Sequence, residues 1–345
     1  MIFKKRIFFA FCGSLAAMLF LFVSCSGAPS YKQHVFFAMD TVIEIDLPPG
    51  SDEALFLQCE ELIKNKEALF SKTILSSDVS NFNTADTQTV ISGETAALIA
   101  DALQLSRETG GSFDITVEPL SALWNVTGEN LEIPKKSEIT EVLNCVGYEN
   151  LTLTICGEDA VLAKDKPGVR IDLGAVAKGY VCEQIVQYLK ESGVPYGKLS
   201  FGGNLGLFGV KPDGTSWHIG IKNPLNPDAV AAYVSVSEGF VSVSGDYERY
   251  FEAEGKRYHH IINPESGWPA DNEICSSVVV AQDGALADAL STALFVMGKD
   301  SAVEFCRSSS LTFEAMLFFK DGTLWASEEL LQSLELNGSD FSLLE

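Results

Sequence analysis

The sequence predicts an α+β fold of mixed or antiparallel sheets flanked by helices, and three of its features carry that expectation. Strand-like runs such as Trp217–Ile221, Tyr233–Val243, Tyr247–Phe251 and Tyr258–Ile262 are numerous, and helical stretches interrupt them irregularly rather than in βαβ alternation. Leu199–Val210, LSFGGNLGLFGV, sets two apolar runs around Gly202-Gly203-Asn204, the pattern of a strand–turn–strand whose glycines would also let a ligand approach the backbone. No repeat and no low-complexity linker divides the chain, so residues 35–345 are expected to form one domain.

In chain order, the first segment is a targeting signal. Lys4, Lys5 and Arg6 supply a positive start and Ile7–Val23 an apolar stretch. Phe22-Val23-Ser24-Cys25 then resembles a bacterial lipobox, with Phe22 where leucine is usual. On that reading residues 1–24 are cleaved, Cys25 carries a lipid, and the folded part is held on the cell membrane outside the cytoplasm; an uncleaved anchor is the alternative. Residues 25–34 form a tether. A strand over Val35–Leu47 carries Ala38-Met39-Asp40-Thr41 and ends at Pro48-Pro49-Gly50. Ser51 and Asp52 cap a helix reaching Leu69, with Leu55, Cys59, Leu62, Lys66 and Leu69 at helical spacing. Residues 70–83, FSKTILSSDVSNFN, read as a loop. A second helix, capped by Ser92 or Thr95, stops near Thr109 at Gly110-Gly111. Ser112–Val126 opens with a polar turn, and its Trp124 either shields an aromatic ligand or fills the core. A short helix over Lys136–Leu143 and two strand-like runs near 150–163 follow.

Val169–Leu189, VRIDLGAVAKGYVCEQIVQYL, reads as a short strand (Val169, Ile171) turning into a helix. Asp172 closes the strand, Gly174 allows the turn, and Ala175 and Ala177 are small enough for close approach. Lys178 lies one turn into the helix, whose N-terminus favours anions, so the stretch suits a phosphorylated ligand; a buried junction with a solvated lysine is the alternative. In His259–Gly267 a strand delivers a histidine to a Pro/Gly turn, placing a proton carrier or a surface histidine pair. In Ala285–Leu294, Asp288 and Thr292 share one face of an apolar helix with Ser291 beside them. Such oxygens suit Mg²⁺, and a capping or helix–helix hydrogen bond is the alternative.

Length and composition narrow the rest. At 345 residues and 46% hydrophobic content the chain can bury one large core or two modest ones. A formal charge of −23, with no basic block after the first six positions, argues against a nucleic-acid partner. Cys59, Cys145, Cys156, Cys182, Cys275 and Cys306 make neither a CxxC nor a Cys/His metal spacing, and their pairing cannot be read from spacing alone.

Taken together in order, these pieces resemble one family. They are MDT at 39–41, the loop from Ser71 through SSDVSNFN, TGGSFDITVEPLSALW at 109–124, RIDLGAVAKGY at 170–180, FGGN at 201–204, GDYERYF at 245–251, HIINPESG at 260–267 and ADALSTALFVMG at 287–298. The chain resembles the ApbE-type FAD:protein FMN transferases, over nearly all of the sequence that follows the signal. That resemblance implies an ApbE-like, T-fold-like α+β fold. It also implies Mg²⁺-dependent transfer of FMN from FAD to a threonine hydroxyl of an acceptor protein, with AMP leaving. Acceptors would be flavoprotein subunits or domains of extracytoplasmic electron-transport complexes. It places Met39, Ser112, Phe113, Asp114, Asp172, Lys178 and Ile262 against FAD, and Ala175 (by its carbonyl), Asp288 and Thr292 on Mg²⁺ with Ser291 close by. His260 becomes the proton-transfer residue. Three positions depart from the family pattern: Thr73 where tyrosine is frequent, Asp40 for glycine, and Asn263 for aspartate. Two other outcomes fit the same site, hydrolysis of FAD to FMN and AMP and non-catalytic flavin binding by a lipoprotein.

Overall fold

The computed structural model describes residues 31–128 and 131–344, and Tyr31 onward makes one compact unit. The signal and the lipid site at Cys25 lie outside the described residues. The first strand, β1 (Lys32–Ala38), begins earlier than the expected Val35 and pairs with β2 (Thr41–Leu47) in a hairpin. Met39 and Asp40, at φ 52° and 58°, form its two-residue turn, so the single strand expected over 35–47 is two.

Asp52 caps α1 (Glu53–Phe70) through the Ala54 N–H at 3.1 Å. The buried stripe is Phe56, Cys59, Ile63 and Phe70, while Leu55, Leu62 and Leu69 sit at its margin. Half of the expected 70–83 loop is a helix, α2 (Asp78–Thr84): its polar residues supply the Ser77 cap and a wet face, and Val79 and Phe82 are buried. After β3 (Gln88–Ser92), α3 (Gly93–Glu108) is capped by Ser92 and ends at Thr109, as expected. Next come α4 (Glu118–Trp124), α5 (Lys136–Leu143), β4 (Leu151–Cys156) and β5 (Asp159–Lys164).

Val169–Leu173 is irregular backbone and not a strand, with Val169, Ile171 and Leu173 buried. Its ladder partner is a side chain: Asn83 donates to the Ile171 carbonyl at 2.9 Å and accepts the Ile171 N–H at 2.7 Å. The Asp172 N–H then donates to the Ile115 carbonyl at 2.8 Å, which fixes the approach to α6 (Ala177–Glu191).

β6 (Tyr196–Phe201) and β7 (Asn204–Gly209) form the expected hairpin about Gly202-Gly203. After β8 (Trp217–Lys222), the expected strand Tyr233–Val243 splits into β9 (Val230–Val236) and β10 (Gly239–Gly245), which join different sheets. Gly239, at φ 129°, makes that break. β11 (Tyr250–Ala253) and β12 (Lys256–His259) form a small hairpin. β13 (Ile274–Ala281), α7 (Gly284–Met297), α8 (Lys299–Ser308), β14 (Glu314–Phe319), β15 (Thr323–Ala326), α9 (Glu328–Leu331), β16 (Glu335–Leu336) and β17 (Ser342–Leu343) complete the described chain.

The central sheet runs β1-β2-β6-β7-β10-β13-β14-β15-β17 and is antiparallel except at its last pair. Helices α6 and α7 pack on one face, and the β16-β9-β8 sheet covers the other with Trp217, Ile219, Ile221 and Val234. The register (Ile43 with Phe201, Asn204 with Ser242) brings the Met39-Asp40 turn, the Gly202-Gly203 turn and the last residues of β10 to one end of this sheet. The two helices cross at glycines: a Cβ on Gly179 would lie 2.0 Å from the Gly284 carbonyl oxygen, and one on Gly284 2.3 Å from that of Gly179. The six described cysteines are all free thiols.

Candidate active site

The glycine crossing brings Asp288 of α7 to the start of α6. Asp288 is 5% exposed, and its Oδ2 accepts the Gly179 N–H at 3.0 Å. That amide is one of the orphan donors of the first helical turn, so the carboxylate caps α6 from the neighbouring helix. The alternative weighed for this residue, a helix–helix bond, is therefore present. The second oxygen meets only the Ser242 hydroxyl, at 3.5 Å, so a buried carboxylate has neutral partners. Ser242 also donates to Asn204 Oδ1. Ser244, on the same face of β10, lies 2.8 Å from the Ser291 hydroxyl and 3.2 Å from that of Thr292. Ser291 is fully buried, donates to the Asp288 carbonyl at 2.9 Å, and accepts the Ser277 hydroxyl on its own carbonyl at 2.8 Å. Thr292 and Ala175 are half-buried.

The donors gathered here are one carboxylate and hydroxyls, all hard oxygens, and Ala175 lies in the turn two residues before α6. Among the described residues no group of three His, Cys, Asp or Glu side chains forms a metal cluster. An all-oxygen set with a single acid fits Mg²⁺, which keeps water and substrate phosphates as its remaining ligands.

Asp172 and Lys178 flank the α6 start. Lys72 pairs with Asp172 at 2.7 Å, Gly174 donates its N–H to the other oxygen at 2.8 Å, and Lys178 bonds the Gly174 carbonyl at 2.5 Å. Burial pushes the Asp172 carboxyl up, but Lys72, the Gly174 amide and Lys178 outweigh it and hold it below the usual carboxylate value. Two lysines and the positive helix end thus converge on one short loop.

At the sheet end, the Met39 N–H donates to Glu67 Oε1 at 2.9 Å. Arg249 grips Asp40 through Nη1 to Oδ2 at 2.7 Å and Nη2 to the carbonyl at 2.9 Å. The Arg249 carbonyl in turn accepts the His260 N–H at 3.1 Å and lies 3.2 Å from His260 Nδ1. His260 is exposed at the rim, yet the protein crowding its ring, with the charges of Arg249 and Lys178, drives the imidazole toward its neutral form, and the water reaching it moderates that pull. His259, by contrast, is buried and bonded to the Ala270 carbonyl at 3.0 Å.

Three expected flavin contacts have structural work of their own. Phe113 is in the main core, and Ile262 is 5% exposed in a third cluster with Leu120, Trp124 and Tyr258. Asp114 accepts Thr116 N–H and Oγ1 at 2.7 and 2.6 Å on one oxygen and the Tyr148 N–H at 2.8 Å on the other. Burial raises its carboxyl above the usual range against those bonds. It braces the turn that presents Ser112, which is half-buried. Trp124 fills the core and donates to the Gly267 carbonyl at 2.8 Å. Sequence reasoning missed Lys72, Asn204, Ser242 and Ser244. The two serines had a signal, alternate hydroxyls on one face of an otherwise apolar strand.

The ApbE family model matches residues 39–317, which takes in every one of these side chains. The chain belongs to the ApbE family. Its fold matches solved ApbE structures: the Thermotoga maritima ApbE protein superposes with a TM-score of 0.79 at 34% identity, covering 88% of this chain and 99% of that one. The Vibrio cholerae flavin transferase ApbE superposes with a TM-score of 0.77 at 27% identity, covering 88% and 100%. A Haemophilus influenzae relative named FAD:protein FMN transferase is 31% identical over 292 residues, 83% of this chain and 84% of that protein. An Escherichia coli K12 relative of the same name is 30% identical over 316 residues, 86% and 89%. The α+β fold, the family and the transferase class expected of this ApbE chain thus agree with its relatives.

Proposed function

We propose that this ApbE chain is an FAD:protein FMN transferase that uses Mg²⁺ to move FMN from FAD to a threonine hydroxyl of an acceptor protein and releases AMP. The observation that carries the reading is Asp288: a buried carboxylate with neutral partners, set where two helices cross, beside a loop that gathers Lys72 and Lys178. Asp288, Thr292 and the Ala175 carbonyl would hold the ion, which when bound neutralises charge on the diphosphate. Lys178 and the α6 N-terminus hold the same diphosphate from the protein side. Ser112 and Met39 line the flavin-facing approach, and Asp172 fixes the loop that carries the lysine. His260, neutral at pH 7, takes the proton from the acceptor hydroxyl at Nε2 as the oxygen bonds to the FMN phosphorus and the bond to AMP breaks. Acceptors would be flavoprotein subunits or domains of electron-transport complexes outside the cytoplasm. A lipid on Cys25 would hold the enzyme to the membrane there; the Lys4–Cys25 signal pattern supports that part.

Incubation with FAD, Mg²⁺ and an acceptor domain, followed by in-gel flavin fluorescence, tests the reading. Asp288→Asn keeps an oxygen for the Gly179 N–H and removes the charge, so the fold survives and labelling falls by about 100-fold or more. Labelling at the parent rate would refute the metal assignment. Fast AMP release with no acceptor present would instead identify a hydrolase.

A further inference from the structure

Asp40 is the one departure from the family pattern that the structure ties to the candidate proton carrier. It sits at φ 58° in a two-residue hairpin turn, a conformation glycine adopts freely and aspartate tolerates. Its carboxylate and its carbonyl are both held by Arg249, at 2.7 and 2.9 Å. Arg249 precedes β11, and the pairing of Tyr250 with His259 sets its carbonyl opposite His260. That carbonyl meets both the His260 N–H, at 3.1 Å, and Nδ1, at 3.2 Å. A carbonyl only accepts, so Nδ1 carries the proton and the Nε2 lone pair is left for a substrate.

We propose that Asp40 and Arg249 are a positioning pair that holds the His260 backbone and ring against the Met39 turn, with Nε2 as the proton-accepting atom. The inference rests on the transferase reading for its kinetic arm. An exposed ion pair adds little to stability, and Asp40 and Arg249 are 78% and 45% exposed. What this pair contributes is geometry: a forked, two-point grip between segments 209 residues apart.

Asp40→Gly is a clean probe, because glycine keeps the turn and deletes only the carboxylate. Expected are an unchanged melting temperature, an unchanged KM for FAD and a kcat lower by about five- to tenfold, the order of one charge-assisted hydrogen bond. Arg249→Met should lose at least as much, and the double variant no more than Arg249→Met alone. Asp40→Asn, which keeps an oxygen acceptor in the same turn, should recover part of the loss. Ring-nitrogen NMR of His260 without substrate supplies the arm that needs no turnover. The parent should show protonated Nδ1 and bare Nε2, and Asp40→Gly a larger share of the other tautomer. A parent ring protonated at Nε2, or a kcat for Asp40→Gly within twofold of the parent, would overturn the proposal. If the transferase reading itself fails, the parent labels no acceptor while the tautomer result still stands.

Discussion

His259 donates from Nε2 to the Ala270 carbonyl at 3.0 Å and accepts the Ile261 N–H on Nδ1 at 3.3 Å, so both ring nitrogens are spent and the imidazole is neutral. Burial lowers its pKa to about 4, with the neighbouring His260 and Lys320 adding to the effect against the Ala270 bond. The unfolded chain therefore binds the extra proton first: stability from this residue is intact above pH 6.5 and drains away as pH falls toward 4. The loss is about 3 kcal/mol across that window. Thermal melts between pH 7 and pH 4 should show a fall that His259→Gln, which keeps a donor for Ala270, makes shallower; parallel curves for the two proteins would disprove the assignment. One position on, His260 is free at Nε2. The sequence marks the pair as a strand end but not which ring faces inward, because strand parity depends on where β12 starts.

At the scale of elements, α5 falls where the sequence places a short helix, and Ile139 is the residue it buries. The Asp288–Ser291–Thr292 grouping was legible because α7 alone sets the relation among them. What α7 cannot announce is its partner. Asn83, 88 residues from Ile171, takes the place of the strand expected from local β-propensity, and Lys72 reaches Asp172 across 100 residues. Those contacts exist only once the sheets assemble. The α6–α7 crossing is the element-level feature on which the site depends. Gly179→Ala would set its Cβ 2.0 Å from the Gly284 carbonyl and 2.7 Å from Asp288 Cβ, and neither helix backbone can yield cheaply. We expect a loss of about 1–3 kcal/mol by denaturant titration together with a drop in acceptor labelling. Gly50→Ala, with nothing within 4 Å of the new Cβ, should change stability by less than about 0.5 kcal/mol and serves as the control.

The whole molecule joins motifs far apart in sequence by sheet register: turns at 39–40 and 202–203 and the tail of β10 share one end because antiparallel neighbours align them. The order of the motifs was readable; their meeting place was not, since β9 and β10 part into separate sheets at a glycine. Among the described residues no helix is long and apolar enough to cross a membrane. The attachment proposed for Cys25 is testable apart from catalysis: Cys25→Ser should move the protein from the membrane fraction to the soluble one and leave flavin transfer by the extract unchanged. Retention in membranes would assign anchoring to something other than the lipid.

Asp288 answers the open amide of one helix while belonging to another, and it is the carboxylate proposed to hold the metal ion. On the proposed reading, folding and turnover bear on the same side chain at once. A library randomised at that codon and screened for labelling should return aspartate almost alone, whereas one randomised at Gly50, which touches neither helix of the crossing, should come back diverse.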